Sequence, residues 1–94
     1  MRSNFEWDEK KAKSNIQKHG VTFEEAATVL QDELSLTMND IAHSMNEERF
    51  IDIGLSSNGQ ILVVTYTERG NNIRIINCRK ATPAERKAYE TQNN

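Results

Sequence analysis

The chain has 94 residues, 36% of them hydrophobic and 28% charged, with a formal net charge of −2. That size suits one domain over residues 1–94, with one core and little stability to spare. No apolar run approaches the ~20 residues of a membrane helix, the opening M-R-S-N-F-E-W lacks a signal stretch, and the lone cysteine, Cys78, forbids an internal disulfide and points to a reducing cytoplasm.

Charge is unevenly spread. Residues 1–65 carry six positive and eleven negative side chains, whereas residues 66–90 carry six positive and three negative. A basic end on an acidic protein suggests a polyanionic partner. His19 and His43 are far from each other and from Cys78, so no zinc spacing exists and no metal or cofactor is expected. Neither a glycine-rich phosphate loop nor a G-x-S-x-G element is present.

In chain order, Asp8 is a good N-cap, and Trp7 can staple onto Ala12 in the first helix. Ala12 and Ile16 form its apolar face, while Lys10, Lys11, Lys13 and Gln17 read as a wet face. Gly20 ends it after Lys18 and His19, which suit a helix C-terminus. Thr22 and Glu25 form a capping box for a second helix, with Val21 and Ala26 as its staple, fading near Asp32.

From Leu34 the apolar period changes from helical to alternating. Residues 34–38 predict a short strand, 39–48 a polar loop, and 49–56 a second strand. Ser57-Asn58-Gly59 is a hairpin turn leading to a third strand over 60–68. A turn over 69–72 leads to a fourth strand, 73–79, in which Cys78 reads as a buried structural thiol. Thr82, Pro83 and Glu85 open a third helix with N-cap, proline and capping-box glutamate. Thr91–Asn94 reads as a frayed tail. The expected fold is α+β in the order ααββββα: two N-terminal helices, a four-stranded, mainly antiparallel sheet and a C-terminal helix. The helices are expected on one sheet face, leaving the other partly open.

F-E-W-D-E-K-K-A-K-S-N-I-Q-K-H-G-V-T-F-E-E-A-A, D-I-A-H-S, E-E-R-F-I-D-I-G-L-S, V-V-T-Y-T-E-R-G and I-R-I-I-N-C-R-K-A-T-P-A-E-R-K-A-Y-E occur in that order from Phe5 to Glu90. Together they resemble the BrnT toxin family. Asn77-Cys78 stands where the family commonly has Ser-Ala. The resemblance implies a RelE-like fold and an RNA-cleaving toxin of a bacterial type II toxin–antitoxin pair. It also implies a BrnA-like ribbon-helix-helix antitoxin as partner and contact with operator DNA only through that antitoxin.

Metal-independent RNA cleavage needs help in deprotonating a 2′-hydroxyl, positive charge on the in-line phosphorane and a proton for the leaving 5′-oxygen. Arg74, Arg79 and Lys80 are candidates for the charge, with Arg49 and Arg69 as RNA-binding neighbours. For proton transfer the candidates are His43, Glu48, Glu68 and Tyr89, the last also a candidate RNA contact; histidine's intrinsic pKa near ~6.5 suits such work. Arg74 and Arg79 are five apart and in a regular strand point to opposite faces. Either one is structural, or a bulge near Asn77-Cys78 re-aims the strand end. Arg79 with Lys80 is the preferred pair. The plainer alternatives are an Arg74 pairing with Glu68 or Glu48, and an Arg79 tying the strand to the last helix.

Two functions compete: an mRNA-cleaving toxin that arrests growth and translation, and a non-catalytic module that binds an antitoxin-like DNA-binding partner and co-regulates transcription. Direct DNA binding is disfavoured, because no helix presents a basic recognition face.

Overall fold

A computed structural model describes residues 4–93. Met1–Ser3, the first residues of the opening segment, and Asn94, the last of the expected frayed tail, lie outside the described residues. The element order is β1 (Asn4–Glu6), α1 (Glu9–His19), α2 (Phe23–Val29), β2 (Leu36–Asn39), a 3-10 turn (Ile41–His43), β3 (Arg49–Leu55), β4 (Ile61–Arg69), β5 (Asn72–Lys80) and α3 (Pro83–Gln92). The sheet runs β1-β5-β4-β3-β2. It is mixed and five-stranded, where a four-stranded, mainly antiparallel sheet was expected. The additional strand, β1, pairs in parallel with β5. Three residues are too few to show a period, and their partner lies far along the chain.

Local signals hold at most element ends. The Asp8 carboxylate accepts from the Lys10 and Lys11 amides, and Gly20 closes α1 at φ 70°. Thr82 and Glu85 make a reciprocal capping box under Pro83. Thr22 caps the Glu25 amide, but the Glu25 carboxylate does not return to Thr22. It accepts instead from Ser56 Oγ at 2.6 Å and Gln60 Nε2 at 2.8 Å, binding α2 to the β3–β4 turn. Leu34 is not in β2, because its amide donates to Asp32 Oδ1 in an Asx-type turn. The tail is not frayed as far as Asn93: α3 includes Thr91 and Gln92, and Asn93 Nδ2 donates to the carbonyl of Leu34 at 3.1 Å.

The inward face of α1 also differs from expectation. Ile16 is 46% exposed, while Asn15 is 4% exposed. β1 ends at Glu6, opposite Arg74, so the next part of the β5 edge has no strand beside it. Asn15 takes that place. Its Nδ2 donates to the carbonyls of Cys78 (2.7 Å) and Val21 (3.0 Å), and its Oδ1 accepts from the Cys78 amide at 3.0 Å. A leucine-like side chain at Asn15 leaves those groups buried without partners.

Two apolar clusters sandwich the sheet. Val21, Phe23, Ala26 and Val29 pack with Leu62, Val64, Ile75 and Cys78 on the α1/α2 side. Trp7 meets Phe23 edge-on at 5.9 Å. On the opposite side, Tyr89 of α3 packs with Ile53, Ile61 and Val63. The three helices therefore do not share one face, as the sequence suggested. Strand alternation points Ile53 and Val63 away from α1 and α2, and α3 covers them. Gly54 lets the end of α2 approach the sheet: a Cβ there meets Ser35 Cβ at 3.0 Å and Val29 Cγ1 at 3.1 Å.

Candidate nucleic-acid interface

α3 itself covers only one end of its face of the sheet, around Ile53, Ile61 and Val63. The other end of that face is built from β3, β4 and β5, and a bulge determines which basic side chains stand on it. Thr65 pairs with Asn77 and Tyr66 with Ile75, which leaves Ile76 as an extra residue in β5. Ile73 and Ile75 before the bulge, and Cys78 after it, all face the α1/α2 core. Arg74, Asn77 and Arg79 consequently share the opposite face, despite the odd spacing of the two arginines.

Across that face runs a row of paired positions: Glu6 opposite Arg74, Arg74 opposite Thr67, and Thr67 opposite Arg49. Arg49 and Arg74 flank β4 at roughly 10 Å between backbones, two strand spacings. Arg74 Nη1 lies 3.0 Å from Glu6 Oε2, and Asn72 Nδ2 donates to Glu6 Oε1 at 3.0 Å. These bonds, from Asn72 first and Arg74 second, hold the Glu6 carboxyl below its ordinary value, so it stays ionised at neutral pH. The Thr67 hydroxyl donates to the Glu48 carbonyl at 2.7 Å, which ties the loop before β3 to the row. Arg49 makes no side-chain ion pair or hydrogen bond with another described residue.

Arg49 also lines a pocket of about 330 Å³ with Ala42, His43, Met45, Asn46 and Glu47. His43 Nδ1 lies 3.0 Å from Asp40 Oδ2 and 3.1 Å from Oδ1. A carboxylate there selects the Nδ1–H tautomer and leaves Nε2 available as an acceptor in the neutral ring. The pocket therefore joins a proton-carrying ring to an uncommitted guanidinium.

The remaining candidates lie elsewhere. Arg79 stands opposite Val63, four residues and about 13 Å along β4 from the Arg74 row. Its Nη1 and Nη2 each donate to Glu85 at 2.8 Å, clamping β5 to α3. Lys80 is opposite Leu62 and so points to the α1/α2 side, away from Arg79. Arg69 is exposed and paired with Glu47 at 3.2 Å. Glu48 is exposed and accepts from Asn39 Nδ2 at 3.3 Å. Glu68 is exposed at the end of β4, opposite Ile73. The Tyr89 hydroxyl donates to Asp32 Oδ2 at 2.6 Å beneath α3, and burial with that carboxylate pushes the phenol up to about 12. Cys78 is fully buried, and burial pushes its thiol up to about 12, so it is held in the neutral form. Among the described residues no group of three or more His, Cys, Asp or Glu is placed to hold a metal ion, and no helix is long and apolar enough to cross a membrane.

Glu6, Asn72 and Thr67 were not singled out in the sequence, because their roles come from strand neighbours. Asp40 did carry a local signal, being three residues before His43.

The Arg79–Glu85 clamp has a pH signature. The Arg79 hydrogen bonds are the main cause that lowers the Glu85 carboxyl from about 4.5 to about 2. A depressed carboxyl stabilises the fold above its unfolded value and loses that contribution as pH falls through its folded value. Glu85→Gln is therefore expected to lower the melting temperature at pH 7 and to flatten its decline between about pH 4.5 and 2. Thermal melts of both proteins across that range check it.

The structure is similar to the crystal structure of the Brucella abortus ribonuclease toxin BrnT, with TM-score 0.65 and 24% identity over 85% of this chain and 99% of that one. At that identity the likeness is one of fold. No curated protein matches the sequence. Residues 7–85 match the family described as the ribonuclease toxin, BrnT, of type II toxin-antitoxin systems. That match spans most of the chain, so the protein belongs to the BrnT family of ribonuclease toxins.

Proposed function

We propose that this chain cleaves mRNA without a metal at the end of the sheet that α3 does not reach, and that a ribbon-helix-helix antitoxin neutralises it. The observation that carries this reading is the Glu6–Arg74–Thr67–Arg49 row running into the pocket that holds His43. Arg49 and Arg74 supply positive charge for the non-bridging phosphate oxygens. His43, oriented by Asp40, is the proton carrier. The 2′-oxygen loses its proton and bonds to phosphorus; the P–O5′ bond breaks and the leaving oxygen takes a proton. The products are a 2′,3′-cyclic phosphate and a 5′-hydroxyl. Arg79 acts in this reading as the tether of α3, and Lys80 and Tyr89 take no part.

One observation favours the non-catalytic module. Arg69, Arg74 and Arg79 are each already paired with a carboxylate. Fragment analysis after controlled expression, with purified protein assayed in EDTA, separates the two. New 2′,3′-cyclic ends, growth arrest and activity in EDTA support the nuclease. Intact RNA and normal growth with a folded protein sink it.

A further inference from the structure

A second feature lies around the edge of β5 from the arginine row. Lys11, Ser14, Asn15 and Lys18 stand on one stripe of α1, at helical spacing. With Ile76 and Asn77 of β5 they line a groove of about 140 Å³. The groove exists because β1 stops opposite Arg74 and the bulge at Ile76 interrupts the strand edge. Among the described residues no carboxylate lines it, although the chain has more acidic than basic residues. An acidic influence comes from Asp8 at the N-cap of α1, whose charge is felt by both Lys11 and Arg74. Neither the Lys11 nor the Lys18 ammonium forms an ion pair among the described residues; the Asn77 amide and the Ser14 hydroxyl likewise have no hydrogen-bond partner there. Asn77 also belongs to the arginine face, three residues after Arg74 in β5 and opposite Thr65.

We infer that this groove is a phosphate-binding track for single-stranded RNA, continuing the substrate path from the arginine row over the edge of β5 onto α1. Two lysines about 10 Å apart along the helix axis, with amide and hydroxyl donors between them, suit a flexible phosphate backbone and read no base. In an acidic protein such a track supplies affinity that the carboxylate-paired arginines give up. It marks Lys11 and Lys18 off from Lys10 and Lys13, which share the helix but not the groove. The inference rests on RNA being the substrate of the arginine face.

The test uses a 2′-O-methyl oligonucleotide of about 12 nucleotides, a length within the reach of one such site. It cannot be cleaved, so binding is read by anisotropy independently of catalysis. Lys11→Gln/Lys18→Gln is expected to bind several-fold more weakly, with a salt slope shallower by about 1.4 for two lost phosphate contacts. Lys10→Gln/Lys13→Gln changes net charge equally and is expected to stay near wild type, and Lys11→Arg/Lys18→Arg to restore binding. Equal losses in both glutamine variants, or an unchanged groove variant, overturn the track. So does a groove variant that loses only a co-expressed antitoxin, which assigns the groove to a protein. Cleavage of unmodified RNA by wild type is scored separately, so a protein that binds through the groove but cuts nothing refutes the nuclease and not the track.

Discussion

Asn15→Ala is expected to cost about 3 kcal/mol or more, the largest stability loss of any exchange considered. It strands the Cys78 amide and the Cys78 and Val21 carbonyls, and each buried polar group left unpaired costs roughly 1–3 kcal/mol. For a domain of this size that lowers the melting temperature by about 12 °C or more. Asn15→Asp sharpens the test. The introduced carboxylate still accepts from the Cys78 amide but faces two carbonyls that need donors, so its folded pKa is raised. A raised carboxyl makes the variant's loss relative to wild type larger at pH 7 than at pH 4, where the protonated form can donate once. Urea unfolding at both pH values reads this directly. A loss under about 0.5 kcal/mol for Asn15→Ala would mean that water replaces the amide without penalty.

The second large effect concerns catalysis. Arg49→Ala is expected to lower kcat by about 10²–10³, the usual range for removing one preorganised donor to transition-state charge. Arg49→Lys restores part of it, because the charge returns without the planar fork. His43→Ala is expected to cost about 10²–10⁴ with little change in melting temperature, since the ring is largely exposed. Arg79→Ala should do the reverse, lowering stability through the lost Glu85 clamp while kcat changes little. Single-turnover cleavage beside thermal melts distinguishes these cases. A folded, inactive Arg79→Ala protein with an active Arg49→Ala counterpart would move the chemistry to the α3 end of the sheet.

Much of the local architecture was legible from short-range chemistry. Asp8, Gly20 and Thr82 mark helix ends through bonds spanning a few residues, and Asn58-Gly59 marks a hairpin for the same reason. Where a side chain had a competing distant partner, the local rule failed. Glu25 left its capping box for Ser56 and Gln60, and Ile16 yielded the inward position to Asn15, whose amide could serve the edge of β5. The same limit applied to the site. The basic residues were visible, but spacing left two alternatives, Arg74 and Arg79 on opposite faces or a bulge near Asn77-Cys78, and only the cross-strand register at Ile76 chose the bulge.

The amino-acid sequence by itself determined the three helices with their N-cap residues, four of the five strands, the hairpins, the basic C-terminal end and membership of the BrnT family, because these depend on neighbours along the chain and on motif order. Tertiary structure alone decided the rest. It added β1 and so brought Glu6 to Arg74. It placed α3 on the face opposite α1 and α2. Through one extra residue at Ile76 it turned Arg74 and Arg79 to the same side, then separated their surroundings, one in the Arg49 row and one clamped to Glu85. The physical reason is that strand parity is counted from neighbours across the sheet, and a bulge changes that count without a reliable mark in the sequence.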